Sequence, residues 1–163
     1  MIFETERLIV RKLVLDDLQP FHEMQSNPKV MQYVTGDVKS LEAHETELKE
    51  LISKYNLLNN NFWIYAIDRK SDGEFIGTCA IVDEVNELGY RFLEKYWGFG
   101  YGKEVCNGLI DYCKKIGLKL ITAYVVDENI ASAKIIESHN FTVVKKFVSD
   151  DLKLPETKYE LHL

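Results

Sequence analysis

Several things are missing from this sequence, and each absence narrows the reading. It contains three cysteines and no CxxC pair. Cys79 falls in a predicted strand. Cys106 and Cys113 share one face of a predicted helix, but about 10 Å of helical rise separates them, too far for a disulfide. The four histidines, His22, His44, His139 and His162, lack ligand spacing, so no metal site is expected. No apolar run approaches the roughly 20 residues of a membrane span, and the opening Met1–Arg7 lacks a signal-peptide pattern. These features lead us to expect a cytoplasmic protein with no membrane partner. A basic excess is also missing: the net charge is −6 and the pI about 5.3, which argues against a nucleic-acid-binding surface. What is present is a 46% hydrophobic fraction in 163 residues, enough for one sizeable core, so a single domain over 1–163 is expected.

The rest of the chain is organised around Tyr96-Trp97-Gly98-Phe99-Gly100-Tyr101-Gly102-Lys103. Three alternating glycines precede an amphipathic helical pattern. Glycine permits positive φ and close backbone approach, and the helix behind it supplies unpaired N–H groups at its positive end. Such a loop is a seat for a phosphate or pyrophosphate. Two nucleotide patterns fail here. GxxxxGK[ST] lacks its second glycine, and Glu104 follows Lys103. GxGxxG has its third glycine one residue early.

In chain order, Leu8–Leu13 reads as a strand. Asp16 is expected to cap a helix through Met24, with Leu18, Phe21 and Met24 on one side, and Asn27-Pro28 stops it. Val30 to Gly36 looks irregular or briefly helical. Ser40 is the expected N-cap of a longer helix marked by Leu41, His44, Leu48, Leu51, Ile52 and Tyr55. Phe62–Asp68 and Phe75–Val82 form a hairpin across Ser71-Asp72-Gly73, and Glu87–Leu93 is the strand leading into the glycine loop. A helix follows over Lys103–Ile116, with Gly117 at its C′ position and Gly108 inside, where it can pack closely on a sheet. Leu118–Val126 is an apolar strand. Asn129 caps a helix through Ser138, Asn140 takes the left-handed position, and Phe141–Val148 and Thr157–Leu163 are the last strands. The order β-α-α-β-β-β-α-β-α-β-β describes an α/β (α+β) domain with a mixed, mostly antiparallel sheet of about seven strands and about four helices.

This order, the glycine loop and Asn129-Ile130-Ala131-Ser132 together resemble the GNAT superfamily of acetyl-CoA-dependent N-acetyltransferases. More narrowly, the chain resembles the branch of ribosomal-protein N-terminal acetyltransferases (RimJ/RimL-like). The motifs are Thr5-Glu6-Arg7-Leu8, Glu87-Leu88-Gly89-Tyr90, Trp97-Gly98-Phe99-Gly100-Tyr101, and Asn129-x-x-Ser132 followed by Lys134 and Glu137-Ser138-His139-Asn140-Phe141. Trp97 stands where the wider superfamily has arginine or glutamine. Asn140 replaces a usual glycine and Ser138 a usual lysine.

The resemblance implies a central sheet splayed between Glu87–Leu93 and Leu118–Val126. It implies acetyl-CoA (coenzyme A) as donor, held at its pyrophosphate by the backbone of Trp97, Gly98, Phe99, Gly100, Tyr101, Gly102 and Lys103. Tyr90, Arg91, Phe92 and Leu93 would present backbone groups to the pantetheine arm and thioester. Asn129 is either an ordinary N-cap, a pantetheine contact, or both. Ser132 is either a first-turn serine or a hydroxyl beside the departing thiolate. Lys134 either reaches a coenzyme A phosphate or is plain surface. Glu87 is the favoured base, against a solvent-facing strand glutamate, with Asp83 and Glu84 as runners-up. Tyr90, on the opposite face from Glu87 by alternation, reads as structural. No Ser-His-Asp or Cys-His nucleophile pattern is apparent, so direct attack by the amine in a ternary complex is preferred. The acceptor would be a protein N-terminus or a small-molecule amine, selected within Asn27 to Asn60, and a homodimer is common among relatives. The competing reading is a non-catalytic acyl-CoA-binding sensor.

Overall fold

A computed structural model describes residues 1–34 and 36–163. Its sheet is built from β1 (Phe3–Glu4), β2 (Leu8–Lys12), β3 (Phe62–Arg69), β4 (Phe75–Val82), β5 (Glu87–Phe92), β6 (Leu120–Val126), β7 (Thr142–Val148) and β8 (Pro155–His162). The helices are α1 (Leu18–Ser26), α2 (Leu41–Lys54), α3 (Tyr101–Lys115) and α4 (Ile130–Ser138). The eight strands run in the order β1-β2-β3-β4-β5-β6-β8-β7. Every neighbouring pair is antiparallel except β5 and β6, which are parallel and meet only where Glu87 faces Thr122. Beyond that point the two strands diverge, and the expected mixed, splayed sheet is what forms.

Side-chain alternation assigns the two faces. Leu88 and Phe92 of β5, with Ile121, Ala123 and Val125 of β6, join Val105, Leu109 and Cys113 of α3 and Ile136 of α4 in one core. On the other face Phe21 and Met24 of α1 and Leu48 and Leu51 of α2 pack with Leu13, Ala66, Phe75 and Leu93. A Cβ on Gly108 would lie 2.6 Å from Phe3 Cε2 and 2.8 Å from Thr5 Cγ2, so α3 approaches the sheet's first strand more closely than any side chain allows.

The local signals mostly act as read. The Ser40 hydroxyl accepts from the Ala43 N–H at 3.1 Å, and Gly117 (φ 86°) and Asn140 (φ 66°) adopt the left-handed conformation. Asp16 is not the cap of α1. A 3-10 turn over Leu15–Asp17 comes first, and the neighbouring Asp17 accepts from the Val14 N–H at 2.9 Å while pairing with Arg11 at 2.8 Å. The half-buried ion pair decides between two adjacent aspartates that look alike in sequence. β1 is an eighth strand that two residues could not announce. Of Val30 to Gly36, 30–33 form turns, as expected, and Thr35 lies outside the described residues. His22 and His44, distant in sequence, meet between α1 and α2 with their Nδ1 atoms 2.7 Å apart. All three cysteines are free and buried.

Candidate active site

The gap between β5 and β6 opens into two adjoining cavities of about 620 and about 340 Å³ that share Val30, Tyr33, Tyr90, Arg91, Asn129 and Ser132 as walls. The larger runs over the glycine loop and the N-termini of α3 and α4, where Phe92, Trp97, Gly98, Gly100, Tyr101, Gly102 and Lys103 line it. The smaller is lined by Glu87, Gly89, Asp151 and Glu156.

The three glycines do different work. Gly98 and Gly100 hold φ of 81° and 82°, a left-handed backbone that L side chains resist, and Gly100 is the N-cap of α3. Gly102 lies within the helix, where a Cβ would stand 3.1 Å from Ile135 Cδ1 and 3.4 Å from Tyr90 Cε2. From Gly98 to Lys103 no N–H finds an acceptor among the described residues, although Trp97 donates to Glu94 and Glu104 to Gly100. Consecutive free donors at a helix N-terminus form an anion cradle.

The Thr5-Glu6-Arg7-Leu8 segment braces this cradle. Glu104, in the first turn of α3, accepts from Thr5 Oγ1 (2.6 Å), the Arg7 N–H (2.8 Å) and Arg7 Nε (2.7 Å). Arg7 Nη1 donates to the Phe99 carbonyl at 2.9 Å, and the guanidinium lies 4.5 Å from the centre of the Tyr101 ring. Thr5 and Arg7 share one sequence motif, but the clasp itself depends on β1 and β2 lying beside α3. The Trp97 indole N–H donates to the Phe92 carbonyl at 3.1 Å and fixes the other side of the loop.

Around the gap, the two faces carry different chemistry. On the α3–α4 side the Tyr90 hydroxyl is buried without a hydrogen-bond partner among the described residues, and Ser132 lies close enough to affect its ionisation. Burial pushes the Tyr90 phenol well above its ordinary value. A buried hydroxyl with no partner is costly unless a ligand completes it. Asn129 Oδ1 caps α4, accepting from the Ser132 N–H at 3.3 Å, so its ordinary capping role is realised. On the α1–α2 side stand Glu87 and Arg91. Burial raises the Glu87 carboxyl above its usual 4.5, and the charges of Asp83 and Glu156 raise it further. Asp83 and Glu84 themselves line a separate cavity with Tyr55 and Trp63.

Three positions stand apart from the cavity walls. Leu93 is buried in the core, its N–H bonded to the Ile76 carbonyl and its carbonyl to the Tyr96 N–H. Phe99 is 54% exposed and stacks on Tyr101. Lys134 is exposed on the outer side of α4. Among the described residues no group of three or more His, Cys, Asp or Glu is arranged to hold a metal ion.

Comparison with known proteins agrees with this geometry. Residues 7–142 match the family described as "Acetyltransferase (GNAT) domain". An uncharacterized N-acetyltransferase, p20, from Bacillus licheniformis is 31% identical over 143 residues, covering 84% of this chain and 80% of that protein. Among solved structures, the RimL ribosomal L7/L12 alpha-N-protein acetyltransferase in complex with coenzyme A superposes with a TM-score of 0.84 at 16% identity, covering 99% of this chain and 97% of that one. Spermidine N-acetyltransferase from Vibrio cholerae, in complex with CoA and spermine, gives 0.81 at 20% identity, covering 96% and 95%. At such identities these superpositions speak for the fold, which enzymes of different acceptors share. With the family match spanning most of its length, the chain belongs to the GNAT acetyltransferases.

Proposed function

We propose that this acetyltransferase moves the acetyl group of acetyl-CoA to a primary amine by direct attack in a ternary complex, the amine being a protein N-terminus or a small molecule. The observation that carries the reading is the gap itself. β5 and β6 part beside a loop of free N–H donors, and the gap is flanked by an orphaned hydroxyl on one face and a raised carboxyl on the other. Acetyl-CoA supplies the activated acyl group. The free N–H groups from Gly98 to Lys103 would hold its pyrophosphate, the Trp97 N–H being already bonded to Glu94, and the edge of β5 that β6 leaves open, at Tyr90 and Arg91, would receive its pantetheine arm.

The remaining work falls to side chains. Glu87, with its pKa raised, takes a proton from the amine more readily than an exposed carboxylate would, directly or through one water. Tyr90 and Ser132, on the other face, stabilise or protonate the departing thiolate. Alternation sets Tyr90 opposite Glu87 and beside Ser132, and we take that side of the splayed sheet to receive the thiolate. Within the family, the Thr5-Glu6-Arg7-Leu8 and Trp97–Tyr101 motifs favour the ribosomal-protein N-terminal acetyltransferase branch. The three free, buried thiols suit a reducing, cytoplasmic compartment.

The test is calorimetry with acetyl-CoA followed by thiol-release assays across peptides with free N-termini, polyamines and amino acids. Binding with turnover of at least one amine is expected. Binding without turnover of any amine would favour the sensor reading, and failure to bind would remove the cofactor assignment.

A further inference from the structure

The molecule's arginines differ in one respect. Arg7 pairs with Glu104, Arg11 with Asp17 and Asp68, and Arg69 with Asp72. Arg91 meets no carboxylate at ion-pair distance among the described residues, although it stands in the wall shared by both cavities. Its one side-chain bond among the described residues is from Nη1 to the neutral Gln25 Oε1 of α1, at 2.8 Å. Gln25 Nε2 in turn donates to Glu47 at 3.3 Å, and Glu47 is already matched by Lys39 at 3.2 Å. A carboxylate near enough to neutralise Arg91 is therefore held one residue away and spent on another cation. A guanidinium offers five donors in a planar fork suited to a carboxylate. Here most of that fork is unused, and burial works against its charge.

Arg91 shares a face of β5 with Glu87, four residues or about 13 Å earlier along the strand. That face looks toward α1 and α2, away from Tyr90 and Ser132. An acceptor bound there meets a proton-accepting carboxylate at one end and an unpaired cation at the other.

Resting on the transferase reading above, we propose that Arg91 is a specificity-determining residue that selects acceptors carrying a carboxylate besides the reacting amine, either a free amino acid or a peptide with an acidic residue near its N-terminus. A polyamine would turn a second ammonium toward Arg91 and be disfavoured. Arg91 acts here through its side chain, separately from any backbone contact of β5 with the cofactor.

The experiment compares matched pairs in which a carboxylate is exchanged for its amide, with rates referred to the neutral-amine fraction because amidation also lowers the amine's pKa. These are ω-amino acids with one to five methylenes against their carboxamides, and short peptides with a free N-terminus and Asp or Asn in second place, with spermidine as the cationic control. Affinity for the coenzyme A-loaded protein is measured by calorimetry, and kcat and KM by thiol release. The wild type should prefer the best-fitting carboxylate over its amide by about 10-fold or more, the scale of a hydrogen bond to a charged group. Arg91→Gln should abolish that ratio, mostly through KM, and Arg91→Lys should retain part of it. Whether the amino acid or peptide arm shows the larger ratio identifies the source of the carboxylate. Equal affinity for acid and amide in the wild type, spermidine as the preferred ligand, or a ratio that survives in Arg91→Gln would overturn the proposal. Should Arg91→Gln fail to fold, Arg91→Lys carries the comparison, and equal affinity for acid and amide in the wild type still overturns the proposal. Because affinity is read without turnover, absence of acetyl transfer would defeat the transferase reading while leaving the ratio to judge Arg91.

Discussion

Replacing Glu104 by glutamine keeps the side chain's size and removes its charge, and so tests whether the Thr5–Arg7–Glu104 clasp holds the glycine loop in place. The carboxylate accepts three bonds, two of them from Arg7. Hydrogen bonds to a charged group contribute about 1.5–3 kcal/mol. The Arg7 side chain is 43% exposed, so solvent screening lowers the expected loss to about 1–2 kcal/mol. For a chain of this length that is a fall in Tm of about 2–8 °C. Burial alone would raise the Glu104 pKa, but the bonds from Thr5 and Arg7 and the guanidinium charge outweigh it and hold the group below 4.5. A carboxyl with a depressed folded-state pKa contributes fully above its unfolded value, and the contribution fades as pH falls through the folded value. Wild type and Glu104→Gln should therefore converge in stability in acid. Affinity for coenzyme A should drop too, because Arg7 also fixes the Phe99 carbonyl. Scanning fluorimetry and calorimetry measure both. A melting temperature within about 1 °C of wild type at neutral pH, with unchanged coenzyme A affinity, would refute the clasp.

Two further predictions follow from single positions. Gly100→Val should weaken coenzyme A binding sharply: the added Cβ meets nothing nearer than Arg7 Nη2 at 3.6 Å, so backbone strain at φ 82° rather than crowding reshapes the loop, and unchanged affinity by calorimetry would count against the cradle. Burial, then the neighbouring His22, hold the His44 pKa below 6.5, so the folded state resists its protonation and stability should be full above that value and decline as pH falls below it. Urea melts of His44→Leu between about pH 5 and 7 should show a flatter dependence than wild type, and an unchanged slope would exclude His44 as its source.

Much of this architecture is legible locally. Ser40, Asn129, Gly117 and Asn140 mark helix ends through capping chemistry that needs no tertiary partner, and the period of Val105, Leu109 and Cys113 marks the buried face of α3. The illegible parts depend on long-range pairing. Asp17 rather than Asp16 begins α1 because Arg11 lies beside it. Arg7 reaches a loop more than 90 residues later in the chain because β1 and β2 lie near α3. Alternation places Tyr90 opposite Glu87, but that its hydroxyl is buried without a hydrogen-bond partner depends on α3 and α4 packing over it. The bond from Arg91 on β5 to Gln25 on α1 leaves no trace in spacing at all.

The most direct test of the account is a pair of pH–rate profiles, for Glu87→Gln and Ser132→Ala, with one identified acceptor and after both proteins are shown to be folded. Glu87→Gln should lose about 10²-fold in turnover, and the defect should shrink at high pH, where the amine is already neutral. Ser132→Ala should lower kcat without that recovery, because the thiolate must leave whatever the amine's protonation state. A Glu87→Gln enzyme with wild-type rate at every pH would contradict the assignment of the amine's proton to the raised carboxyl on β5.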